Sequence, residues 1–114
     1  MGGETREWLE ARAAVFKALG HPTRLQIATE LKSGARSVTE LTAVVGADTS
    51  TVSKHLSVLR DAGIVIGAKA GTTINYRLAC DCLGGMLNSA ESVIRKRADR
   101  QMRALGTYTP SRLA

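Results

Sequence analysis

The stretch Asp48-Thr49-Ser50-Thr51-Val52-Ser53-Lys54-His55-Leu56-Ser57-Val58-Leu59-Arg60 most restricts how this chain can fold. Asp48 is a good N-cap, and Val52, Leu56 and Leu59 follow at i, i+4 and i+7, the spacing of one buried helical stripe. At about 100° per residue, the other side presents Ser50, Ser53, Lys54 and Ser57, with Thr49 and His55 beside them. These are hydroxyls and bases with no carboxylate among them. Short donors without negative charge suit close approach to phosphates and base edges, although a solvated face would use the same residues.

The preceding segment decides between those readings. Val38 to Val45 has an apolar side of Leu41, Val44 and Val45. Ser37 and Glu40 have the spacing of a capping box, and Gly46 can take the left-handed conformation that ends a helix. Two short helices joined by a turn of about three residues predict a helix-turn-helix with its second helix in a DNA groove.

Charge agrees with a polyanionic partner: 16 basic against 10 acidic residues in 114. Much of that surplus lies in Arg95, Lys96, Arg97, Arg100 and Arg103, so net charge does not locate the DNA face. Aromatic residues make up only 4%, leaving the core to aliphatic side chains. No apolar run approaches the roughly 18 residues of a membrane span, and Met1-Gly2-Gly3-Glu4 lacks the pattern of a signal peptide. A cytoplasmic protein is expected, with reduced cysteines rather than a structural disulfide.

Ahead of the helix-turn-helix, about Glu4 to Leu19 reads as an amphipathic helix closed by Gly20. His21 is expected to cap or pack, and Pro22 suits the first position of a second helix whose buried side is Leu25, Ile27, Ala28 and Leu31. After Gly63, the β-branched run Ile64-Val65-Ile66 and the alternating Ile74-Asn75-Tyr76-Arg77-Leu78 pair as a hairpin, a wing with its tip at Lys69 to Thr73. Lys69, Thr72, Thr73 and Arg77 are its candidate phosphate contacts, with Arg77 alternatively bracing the wing.

Leu83, Leu87, Ala90 and Ile94 then mark a long amphipathic helix. Its apolar surplus, and that of the first helix, are expected to be buried together in a twofold homodimer. The expected architecture is mainly α with a β-hairpin wing: a winged helix-turn-helix of about five helices. One DNA-binding and dimerisation domain spans 1–106, and 107–114 form a loose tail.

Taken together, Leu19-Gly20-His21-Pro22-Thr23-Arg24-Leu25, Val38-Thr39-Glu40-Leu41, Ser50 through Val65 and Tyr76-Arg77-Leu78 resemble the ArsR/SmtB family of bacterial winged-helix repressors over about residues 7 to 105. The resemblance implies a homodimer on a palindromic operator, with half-sites about 10 bp apart and repression relieved by an inducer. It also implies that DNA binding itself needs no cofactor. Two metal sites known in the family lack their ligands here: Ala35-Arg36-Ser37-Val38 has no cysteine, and residues 83 to 105 have no histidine.

Cys80-Asp81-Cys82 remains as a sensor candidate. The two sulfurs share a face only if both precede the last helix, and a third ligand would then have to come from a partner subunit or solvent. Soft ions fit such thiolates: trivalent arsenic or antimony, cadmium or zinc. Redox or persulfide sensing and simple space filling are the alternatives, although a disulfide across one residue is strained. No activated nucleophile, paired carboxylates or phosphate loop suggests an enzyme. A winged helix that contacts DNA or protein without any thiol inducer is the remaining class.

Overall fold

The computed structural model describes residues 5–106, so the readings made for Met1 to Glu4 and for the tail from Thr107 lie outside the described residues. The chain divides into two compact units, one ending at Asp81 and the other beginning at Cys82. The first holds α1 (Arg6–Leu19), α2 (Pro22–Glu30), β1 (Arg36–Ser37), α3 (Val38–Val45), α4 (Thr49–Asp61), β2 (Val65–Ala70) and β3 (Thr73–Leu78). The second contains α5 (Cys82–Ala104).

Five helices and a hairpin wing are thus present, and local chemistry accounts for their ends. Thr5 caps α1 by accepting the Trp8 amide at 3.1 Å. His21 caps α2 through Nδ1, which accepts the Thr23 amide at 3.1 Å, and Pro22 follows at a position that needs no donor. Ser37 and Glu40 complete their capping box: Ser37 N–H donates to Glu40 Oε1 at 2.9 Å, and Glu40 N–H donates to Ser37 Oγ at 3.1 Å. Gly46 ends α3 at φ 75° and ψ 21°, the left-handed conformation that glycine adopts without a Cβ penalty.

The core of the first unit is aliphatic, as the shortage of aromatics requires. Ile27 and Ala28 from α2, Leu41 from α3, and Val52, Leu56 and Leu59 from α4 are all fully buried, joined by Ile64 and Val65 at the start of the wing. Leu25 and Val44 depart from expectation, since both face solvent. Helical spacing puts both on the inner side, but the core here is narrow, and one helix turn offers it only one or two positions.

A third strand was not anticipated. β1 pairs with β3, Arg36 opposite Tyr76 and Ser37 opposite Asn75, making an antiparallel sheet of order β1-β3-β2. Arg36 ties this short strand down through Ser33 Oγ at 3.1 Å and Glu30 at 3.9 Å. Between β2 and β3, Gly67 lies opposite Tyr76, and a Cβ there would fall 3.0 Å from Tyr76 Cε1 and 3.1 Å from Ile74 Cγ2. The tyrosine ring occupies the space a side chain would need. Gly67→Val is therefore expected to destabilise the fold by about 1–3 kcal/mol in urea unfolding; an unchanged midpoint would show that the ring yields without cost.

Candidate nucleic-acid interface

The turn from α3 to α4 sets the angle at which α4 is presented. Asp48 Oδ1 accepts the Thr51 amide at 2.8 Å and the Ser50 hydroxyl at 3.0 Å. The Thr51 bonds, followed by the Ser50 bond, hold the Asp48 carboxyl below its usual range, so it stays ionised at the helix N-terminus, where the backbone dipole favours a negative charge. Val52, Leu56 and Leu59 are each 0% exposed, so the rotation of α4 about its axis is fixed. Thr49, Ser50, Ser53 and Lys54 consequently face solvent, and Ser57 is half-buried. The only carboxylate on this side is Asp61 at the far end, paired with Arg60 at 3.6 Å.

His55 does not belong with that exposed set. It sits between Lys54 and the fully buried Leu56, so its ring turns toward α2 and is only partly exposed. Its centroid lies 4.6 Å from that of His21 with the planes at 45°, and Arg24 Nη1 donates to its Nδ1 at 3.4 Å. Arg24 Nε also donates to the Ala18 carbonyl at 2.6 Å. Arg24 thereby links the end of α1, its own helix α2, and α4. The local pattern of the His-Pro-Thr-Arg segment assigns Arg24 no such task; the one signal in it is an arginine three residues after a capping histidine.

In the wing, β2 and β3 pair from Val65 opposite Leu78 to Ala70 opposite Thr73, leaving Gly71 and Thr72 as a two-residue turn with Gly71 at φ 66°. The tip is therefore shorter than expected, and Lys69 and Thr73 belong to strands. Lys69, Thr72, Thr73 and Arg77 are all exposed. Their register separates them: Lys69 pairs with Ile74 on the face shared with Tyr76, whereas Thr73 and Arg77 point to the other face. Arg77 Nη1 donates to the carbonyl of adjacent Leu78 at 3.5 Å, an exposed contact within its own strand that does not brace the wing against a neighbour.

The cysteines correct an expectation. Cys80 and Cys82, the only two in the chain, are both disulfide-bonded rather than reduced. The chain turns at Asp81, and Cys82 already belongs to α5. A disulfide sulfur offers no thiolate to a soft ion. Among the described residues, moreover, no three His, Cys, Asp or Glu gather as a metal would require. In this disulfide-bonded form the expected ligands Cys80 and Cys82 present no thiolates to arsenic, antimony, cadmium or zinc.

Residues 21–66, from the cap of α2 to the first strand of the wing, match the family model described as bacterial regulatory protein, arsR family. Rv0081 of Mycobacterium tuberculosis has a crystal structure that superposes with a TM-score of 0.79 at 31% identity, over 86% of this chain and 99% of that one. The chain belongs to the arsR family. A second solved structure, the homodimeric winged helix-turn-helix DNA-binding domain of Mb0332 from Mycobacterium bovis, titled a possible ArsR-family transcriptional regulator, superposes with a TM-score of 0.76 at 28% identity, covering 88% of this chain and 95% of that one. The HTH-type transcriptional repressor SmtB of M. tuberculosis is 38% identical over 74 residues, 65% of this arsR-family chain. The match spans 55% of SmtB, little more than half its length.

Proposed function

We propose that this arsR-family chain is a homodimeric, sequence-specific DNA-binding repressor that acts in the cytoplasm by binding rather than catalysis. The observation that carries this reading is the outer face of α4. A helix locked by three fully buried residues presents Thr49, Ser50, Ser53 and Lys54 together, beside a wing with exposed Lys69 and Thr72. Family membership and a structural relative titled a homodimeric DNA-binding domain support it. Each unit also leaves apolar side chains uncovered: Trp8, Leu9 and Phe16 on α1, and Val93, Ile94 and Met102 on α5. A twofold pairing that covers them explains why a small domain keeps them. Among the described residues no helix is long and apolar enough to cross a membrane.

The inducer acts at Cys80 and Cys82. Of the two chemistries that thiols offer, their disulfide-bonded state favours oxidation over capture of a soft metal or metalloid. Two thiols join as one disulfide while two protons and two electrons pass to a peroxide, which leaves as two waters. Fluorescence anisotropy on DNA from the chain's own promoter tests both halves. The reduced protein should bind, and peroxide should release it; Cys80→Ser with Cys82→Ser should bind and ignore peroxide. Release of the reduced wild type by arsenite or cadmium, absent in the double variant, would restore the metal reading. A double variant that still responds to peroxide would move the sensor elsewhere.

A further inference from the structure

Three basic side chains meet where α2 packs on α4, and their hydrogen-bond directions are set by their chemistry. Arg24 can only donate, so the His55 Nδ1 that faces it at 3.4 Å must be unprotonated. His21 Nδ1, which accepts the Thr23 amide, must be unprotonated as well. The junction as built therefore requires both imidazoles to leave Nδ1 free. The charged groups acting on His55 are His21 and Arg24, both basic. Of the other elements packed on α4, α1 offers Lys17, on a cavity it shares with Arg24 and with Asp61 at the far end of α4. Glu40 of α3 is engaged with Ser37, and Lys69 of β2 lies far along the wing.

We propose that His55, held by Arg24 and His21, is a positioning residue for α4 in DNA recognition, and that its protonation loosens the seat of α4 on α2 and weakens operator binding. This role rests on the DNA-binding reading above. A proton on Nδ1 turns the Arg24–His55 hydrogen bond into a contact between two cations. The tie from α4 to the corner of α1 and α2 is then lost; Val52, Leu56 and Leu59 still fix the rotation of α4, but the helix carrying Ser53, Lys54 and Ser57 can shift against α2.

Burial, followed by the charges of His21 and Arg24, lowers His55 from its ordinary value of 6.5. The sign follows directly. A histidine lowered in the folded state contributes its full stability above 6.5, and that contribution falls away as pH drops toward the folded value. General electrostatics has the opposite sign, because acid makes the protein more positive and strengthens its hold on phosphates. Weaker binding in acid thus distinguishes the junction from bulk charge.

The test is operator anisotropy from pH 7.5 to 5.5 at constant ionic strength, using the full chain and His55→Gln, whose amide oxygen accepts from Arg24 but does not titrate. Wild-type affinity should fall about threefold to fivefold, the part of a one-unit pKa difference between free and bound protein that is expressed by pH 5.5. The ratio of affinities at the two pH values should be near one for His55→Gln. Flat or rising wild-type affinity in acid, or the same slope in His55→Gln, would overturn the proposal. A measurement that needs no variant is imidazole titration by NMR in the free and operator-bound wild type. A lower His55 midpoint in the complex is expected, and an unchanged one overturns the role. Absence of operator binding already at pH 7.5 would be a different failure, removing the DNA-binding reading and this role with it.

Discussion

Leu56→Ala is expected to cost the winged core about 2 to 5 kcal/mol, a large share of the roughly 5 to 15 kcal/mol that holds a small domain together. Leu56 is 0% exposed and lies on the recognition helix itself, so the cavity opens beneath the face that would meet DNA. Urea unfolding should show a lower midpoint with an unchanged slope, and operator affinity should fall as the folded fraction and the rigidity of α4 fall together. Val58→Ala, two residues along the same helix, is the internal comparison. Val58 is 41% exposed, and its loss should be small. Equal costs at the two positions would mean that α4 is not seated as described.

What could be read in the sequence was what short-range chemistry decides. The capping pair Ser37 and Glu40, the cap at Asp48, the left-handed Gly46 and the turn at Gly71 each need only a few neighbouring residues, and all four are realised. The stripe Val52, Leu56, Leu59 was legible for the same reason: three residues at helical spacing must point one way.

Features that depend on partners distant in the chain were not legible. β1 is two residues long and has no period of its own; it exists because Tyr76 and Asn75 pass beside it. His55 was grouped with Lys54 and Ser57 by proximity in sequence, yet its direction is set by Arg24, 31 residues earlier. Ala18 and His21 lie close to Arg24 in the chain, but His55 comes from α4, so nothing local in the His-Pro-Thr-Arg segment announces that Arg24 joins α1 and α2 to α4. The disulfide-bonded state of Cys80 and Cys82 is not legible for another reason. The expectation of reduced thiols argues from compartment, whereas the bond depends on how the backbone turns at Asp81.

Half-site spacing should have the largest effect on binding. If two copies place their α4 helices in successive major grooves, half-sites about 10 bp apart lie on one face of the duplex. Inserting about 5 bp between them turns one half-site to the opposite face, where a rigid dimer cannot reach it. Affinity should then drop toward the non-specific level, a loss of about 10³-fold or more. Inserting a full turn restores the face but adds about 34 Å of separation, so it should not recover binding. A chain that bound as a monomer would be indifferent to both insertions, and one whose dimer flexed freely would recover with the full turn. Loss with both insertions, measured by anisotropy at one salt concentration, is the outcome expected of two recognition helices held at a fixed distance. The exposed apolar residues of α1 and α5 are the surface from which that fixed distance would have to be built.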